Sequence, residues 1–317
     1  MPRTGKKSSY DRVPKRQAGR VVRVPPAHER PGQLSTGTTL MSHAVNLDNY
    51  FARIGYEGPR AATLEVLQTI HGLHPIAIPF ENLNPLSRRA VLLDLESVER
   101  KLVTDRRGGY CFEQNALLAN VLMQLGFKVT PLLARVVWGS EPDAVTPRTH
   151  MVLRVDIGAE AWIADVGFGG VTLVAPLRVS AGVAQPSPLG TFRLVAAPHE
   201  AFYLEVQAPE GWARVYRFDL HPVEWIDYDT SNWYTASAPD SIFVSNLLVC
   251  RVLPQSRLAL FNDQLSERDA NGNLVSERQL ASSDELATCL HEQFALNTGD
   301  IDIAAIFERV RTRAPAA

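Results

Sequence analysis

RRGGYCFEQNALLANVLMQLGFKVTPLLARVVWG, residues 106–139, changes its period halfway along, and that change divides the fold. From Cys111 the run has the length and apolar content of a helix, and Gly126 stands where a left-handed cap residue would close it. From Val129 the chain turns β-branched and is broken by proline and glycine, as strands are. A mainly helical segment therefore precedes this stretch and a mainly β segment follows it.

Upstream, HAVNLDNYFARIGYEG (43–58) reads as a short helix closed by Gly55. RAATLEVLQTIHGLHPIAIPFENL (60–83) reads as a helix ending at Gly72, followed by an irregular stretch pinned by Pro75 and Pro79. LDLESVERKLVTDR (93–106) is amphipathic, with Leu95, Val98, Leu102 and Val103 near one side. Downstream, THMVLRVDI (149–157), AWIADVGFGG (161–170), TFRLVAA (191–197), AFYLEVQA (201–208) and GWARVYRFDL (211–220) predict antiparallel strands, hence a barrel or sandwich from about 129 to 230. A further strand in VSNLLVCRVL (244–253), a hairpin turn at Asn271-Gly272 and two helices, from Ser282/Ser283 and in DIAAIFERVRTR (302–313), complete the chain.

The composition excludes several classes. With 317 residues, 45% hydrophobic and 21% charged, the chain can bury a sizeable core and form two or three domains. It has neither an apolar run long enough for a membrane helix nor the apolar core of a signal peptide. Cys111, Cys250 and Cys289 are too few and too scattered for a disulfide scaffold, which points to a reducing, cytoplasmic setting. The net charge of −2 is unevenly spread: residues 1–40 carry nine Lys/Arg against Asp11 and Glu29, a balance of +7, leaving −9 on the remainder. That first segment reads as a disordered basic leader, dispensable or the product of an over-extended start, with Met41 just before the first structured segment. With one aromatic and no folded recognition element behind it, it gives no nucleic-acid partner.

The chemistry centres on Cys111. At a helix start its thiol lies over unpaired N–H groups at the positive end of the helix dipole, which favours the thiolate; a buried structural cysteine is the alternative. Gly108 and Gly109 would let the chain turn sharply and bring amides to the sulfur, where an oxyanion could be held. A nucleophile needs a base and something to orient it. His150 opens one strand and Asp165 lies near the end of the next, otherwise apolar, one. A turn at Ile157-Gly158 would place the two directly opposite each other on one face, while a turn shifted by one residue is expected to put them on opposite faces. The remaining histidines have no evident acidic partner; His71 and His74 flank the helix stop. Nothing in the chain has the Cys-x-x-Cys or His-x-x-x-His spacing of a metal site.

RGGYCFEQN (107–115), IPFENL (78–83), DVGFG (165–169) with His150, and NWYTASAP (232–239) together resemble the arylamine N-acetyltransferase family, from about Asn46 to near the C-terminus. The resemblance implies an α+β multidomain fold: helical bundle (41–128), antiparallel β-barrel (129–235) and α/β lid (236–317) around a cysteine-protease-like Cys-His-Asp core. It implies Cys111, His150 and Asp165 as catalytic residues, an Arg107–Glu81 pair tying two loops together, Phe80 and Phe168 as walls of the substrate pocket, and Asn115 as a supporting hydrogen-bond partner. Tyr110 stands where the family more often has tryptophan. The implied reaction is ping-pong transfer from acetyl-CoA, through an acetyl-cysteine, to an arylamine, arylhydrazine or hydrazide. It needs no metal, no membrane and no nucleic acid, and suits a monomer or weak homo-oligomer. Thiol hydrolases such as papain-like proteases, and transglutaminases, place a Cys, a His and an Asp or Asn in the same order and are the principal alternative; a binding module that has lost the chemistry is another.

Overall fold

The computed structural model describes residues 43–141 and 144–311; the basic leader lies outside the described residues. The first helices are α1 (Leu47–Ile54), α2 (Leu64–Ala77), α3 (Leu83–Leu86), α4 (Leu95–Glu99, continued by a π turn at Arg100–Thr104) and α5 (Cys111–Gln124). Helix α1 is capped by the Asn46 side chain and closed by Gly55 at φ +71°. Gly126, at φ +89°, follows the end of α5.

Helix α2 does not stop at Gly72 but runs five residues further, through Pro75. Gly72 serves close packing instead: a Cβ there would come within 3.2 Å of the Val174 carbonyl. The extra turn is worth forming because it carries His74, fully buried, onto the face already occupied by Val66, Leu67, Ile70 and the equally buried His71. Pro75 sits near the C-terminus, where the helix ends only two residues later and little of the hydrogen-bond ladder is lost.

Short strand β1 (Phe80–Glu81) is followed, after the helices, by β2 (Lys128–Val136), β3 (Arg148–Ile157), β4 (Glu160–Ala164), β5 (Leu177–Arg178), β6 (Ala184–Ser187), β7 (Gly190–Ala197), β8 (Ala201–Ala208) and β9 (Gly211–Asp219). The last eight form one antiparallel sheet in the order β5-β4-β3-β2-β9-β8-β7-β6. It curls into a nearly closed barrel. The Gln185 side chain on β6 accepts the Arg178 N–H of β5 at 2.8 Å and donates to its carbonyl at 3.0 Å, so an amide side chain joins the two edge strands. Inside lie Val152, Phe192, Leu194, Tyr216 and Phe218, and the opposite face of β2–β4 packs on the helices through Leu133, Met151 and Leu153.

The β3–β4 hairpin turns at Gly158-Ala159, one position later than the sequence reading, with Ile157 paired to Glu160 and Leu153 to Ala164. Moving a two-residue turn by one position shifts the pairing by two, so the faces are kept although His150 and Asp165 are not directly opposed. The ladder ends at Ala164, leaving Asp165 free of the strand.

The C-terminal part holds α6 (Asp227–Ser237), α7 (Ile242–Ser245), β10 (Leu248–Val252), β11 (Ser256–Phe261), β12 (Gln264–Asp269), β13 (Leu274–Gln279), α8 (Ser283–Glu292) and α9 (Ile303–Arg311). Its sheet, β1-β10-β11-β12-β13, borrows its first strand from the helical part. Asn82 secures that loan: fully buried, it donates to the carbonyls of Phe243 (2.8 Å) and Asn246 (2.7 Å) and accepts from Leu248 N–H (2.7 Å). Asn82→Ala would orphan three part-buried backbone groups at once, a cost of about 2–4 kcal/mol, so its urea midpoint should fall clearly below that of Asn49→Ala, an exposed position.

Candidate active site

Cys111 is the first residue of α5, preceded by Tyr110 in extended conformation. The chain entering it runs against the Pro79–Glu81 strand: Gly109 N–H donates to Pro79 O at 3.3 Å and Glu81 N–H to Gly109 O at 3.1 Å. This explains both glycines. A Cβ on Gly108 would lie 2.2 Å from Pro79 O, and one on Gly109 2.7 Å from the Glu113 carboxylate. Neither has positive φ, so they permit close approach rather than the sharp turn the sequence suggested, and the Gly109 amide is spent on Pro79.

Beneath the strand lies a charge network, buried except at Asp300. Arg107 grips Glu81 at 2.8 Å and Asp300 at 3.0 Å, and Lys101 bonds Glu113 at 2.6 Å. Glu113 in turn accepts the Tyr110 N–H at 3.1 Å, fixing the start of α5. Burial pushes the Glu81 carboxyl up, but Lys101 and Arg107 outweigh it and hold the group below the usual range. Glu113 is raised, burial exceeding what Lys101 restores. Gln114 donates to Pro79 O at 2.8 Å while its oxygen meets His74 Nε2 at 2.7 Å; His74 Nδ1 is bonded to the Tyr50 hydroxyl at 2.8 Å. Tyr110 is fully buried among Phe112 and Phe243, and its hydroxyl donates to Asn232 Oδ1, so the polar tip in place of tryptophan has a partner.

Opposite the helix start, Cys111 Sγ lies 3.6 Å from Thr149 O, and His150 follows directly. His150 Nε2 meets Asp165 Oδ2 at 2.8 Å, which leaves Nδ1 for the sulfur. Asn115, one turn along α5, does not serve Cys111: it donates to Asp165 Oδ1 at 2.9 Å and Met151 O at 2.8 Å and accepts from Val166 N–H at 3.0 Å. Gly167 N–H also donates to Asp165, at 2.9 Å, and any Cβ at Gly167 would come within 2.8 Å of Cys111 Cα. Phe168 presents its ring edge-on to His150, centroids 5.2 Å apart, and Gly169 packs against Phe80. Cys111, His150, Asp165, Phe80, Phe168 and Asn115 thus converge, with Glu81 and Arg107 behind them.

His71, set aside at the helix stop, belongs here. Its Nε2 accepts the Asp165 N–H at 3.1 Å, and burial lowers its pKa to about 4, keeping it a neutral acceptor. Only its position on the buried face of α2 reveals this; no acid stands beside it in sequence. Among the described residues no group of three or more His, Cys, Asp or Glu could hold a metal ion.

A family model described as N-acetyltransferase matches residues 63–303. An arylamine N-acetyltransferase of Escherichia coli K12 is 43% identical over 255 residues, covering 80% of this chain and 90% of its own. One from Mycobacterium tuberculosis is 37% identical over 262 residues, covering 81% and 92%. The solved arylamine N-acetyltransferase of Mycobacterium marinum in complex with CoA superposes with a TM-score of 0.80 at 33% identity, over 84% of this chain and 98% of that one. That from Salmonella typhimurium gives 0.78 at 38% identity, over 84% and 98%.

Burial opposes charge on His150, but the Asp165 charge and hydrogen bond, with Cys111, lift its pKa from 6.5 to about 10. Its contribution to stability is therefore complete below about pH 6.5 and lost as pH rises through about 10. For Asp165, burial is outweighed by His150, Asn115 and Gly167, and the depressed carboxyl stabilises above pH 3.8 and less as pH falls through its folded value. Between about pH 7 and about pH 9 His150 should accordingly keep its proton, and alkylation of the adjoining Cys111 by iodoacetamide should be fast. In Asp165→Asn the buried imidazole should lose its charge in this range and the rate fall about 100-fold or more; a rate unaltered by Asp165→Asn would detach the pair from the cysteine.

Proposed function

The chain belongs to the arylamine N-acetyltransferase family, and from that premise we propose that Cys111, His150 and Asp165 carry out its reaction. That reaction is the acetyl-CoA-dependent N-acetylation of aromatic amines and hydrazines through an acetyl-cysteine. One observation carries the assignment: the 2.8 Å His150–Asp165 bond stands beside the only cysteine of the chain placed at a helix start.

The Cys111 sulfur attacks the thioester carbonyl of acetyl-CoA, and the C–S bond to CoA breaks as the leaving thiolate takes the proton held on His150. An acetyl thioester remains on Cys111. The amine nitrogen then attacks this carbonyl, His150 accepts the proton it sheds, and the cysteine leaves as thiolate, restoring the enzyme. Unpaired N–H groups at the start of α5 hold the oxyanion in both steps. Asp165 keeps Nε2 occupied so that Nδ1 faces the chemistry, and Asn115 and His71 fix Asp165 in turn. Phe80 and Phe168 offer flat walls to the acceptor ring. An arylamine or hydrazide is largely unprotonated at neutral pH, whereas an alkylamine would first have to lose a proton and its hydration.

In this reading the helical unit (41–128) supplies the nucleophile, the barrel (129–235) the base, and the lid (236–317) covers both. The protein works in the cytoplasm, as a monomer or weak homo-oligomer. Among the described residues no helix is long and apolar enough to cross a membrane.

Mixing the protein with acetyl-CoA and no amine should add one acetyl group to the intact mass, located by peptide mapping on Cys111. Label on Cys250 or Cys289 would refute the assignment. Double-reciprocal plots at several fixed acceptor concentrations should be parallel; intersecting lines would mean direct transfer in a ternary complex and no carrier role for Cys111.

A further inference from the structure

The barrel wall beside Cys111 carries a row of arginines that the chemistry above does not use. Arg135 on β2 is paired with Arg148 on β3 and with Arg217 on β9, so three guanidinium groups stand on one face of adjacent strands. Asp219 binds Arg148 at 2.5 Å and is the one carboxylate ion-paired with the three among the described residues. Cross-strand like charges repel, and burial together with Arg148 and Arg217 holds the Arg135 pKa below its ordinary value. Arg135 donates to Thr146 O and Arg217 to Pro198 O, at 2.7 Å in the second case. Even so, Arg217 Nε and the Thr146 hydroxyl are buried without a hydrogen-bond partner. An anion is the species such a cluster lacks.

Two features say which anion. Arg148, its side chain 39% exposed, immediately precedes Thr149, whose carbonyl is 3.6 Å from Cys111 Sγ, so the row begins at the nucleophile. At its other end, past Pro198 and Asp219, a cavity of about 440 Å³ opens between the β7–β8 turn and the chain leaving β9, walled by Phe202, Leu220, His221 and Pro222, with Glu200 its one carboxylate. An apolar slot of that size suits a planar heterocycle. The charge outside residues 1–40 is −9, so a polyanionic donor approaches against an unfavourable field and needs a local cationic landing. We propose that Arg135, Arg148 and Arg217 bind the phosphates of acetyl-CoA, with its adenine in the cavity beside Phe202 and Pro222, an assignment that rests on acetyl-CoA being the donor.

Calorimetric titration of CoA into the full chain tests this without requiring turnover. Kd should rise about fivefold or more in Arg135→Gln and in Arg148→Gln, and Arg148→Lys, which keeps the charge, should recover most of the affinity. In steady state, the advantage of acetyl-CoA over S-acetylpantetheine, a donor without nucleotide or phosphates, should shrink by the same factor through KM. CoA affinity unchanged in both Gln variants, or equal losses with the two donors, would overturn the site, the latter marking the arginines as structural. CoA binding that depends on the arginines in a protein that transfers no acetyl group would instead strike the activity and leave the site standing.

Discussion

Glu81 is a carboxylate whose side chain has no solvent exposure, and a charge so placed is tolerable only when fully partnered. Its partners dictate the rest. Arg107 must come from the loop before α5, Lys101 from the π turn, and the Leu83 N–H, donating at 2.6 Å, from the chain just beyond. Satisfying one buried oxygen pair therefore draws residues 107–109 onto Pro79–Glu81, and only glycine fits where they touch. The start of α5 is fixed by that contact, and Cys111 with it. Arg107 reaches on to Asp300, so the same network also gathers in the C-terminal part.

The proposed catalytic centre obeys a similar logic in smaller compass. Asp165 receives hydrogen bonds from His150, Asn115 and Gly167, and its backbone is held by His71. Four elements, α2, α5, β3 and the loop after β4, are locked to one another through a single side chain and its amide. In the proposed reaction the rigidity has a chemical purpose, since an imidazole that must give and then take back a proton cannot be allowed to swing between the two events.

Much of this was legible in the sequence because it rests on local rules. Cys111 at a helix mouth, Gly126 after the helix end, alternating strands with an acid among apolar neighbours, and Ser282 as a helix cap are written in adjacent residues. What escaped depends on residues far apart. His71 looked like punctuation because Gly72 and Pro75 follow it, yet Gly72 answers to Val174, about a hundred positions away. Strands β5 and β6 are too short to carry a period, and β6 is tied to β5 by a side chain rather than by a ladder. Helix α6 carries no apolar stripe to announce it: its buried positions Tyr228, Asn232 and Thr235 share one face at i, i+4 and i+7, but two of the three are polar. The hairpin turns one position later than the sequence pattern implies, since Gly158 at φ +59° can serve at either place in a two-residue loop.

The borrowed strand β1 has a consequence in time. It pairs with β10, so Phe80 meets Cys250 and the lid's sheet spans a sequence separation of about 170 residues. During synthesis at about 5–20 residues per second, the Pro79–Glu81 segment emerges many seconds before its neighbour exists. Over that interval its outer edge is an unpaired strand and Asn82 has none of its three partners. The nascent helical part is therefore born sticky along one line, and the last third of the chain, on arrival, acts toward it as a tethered chaperone.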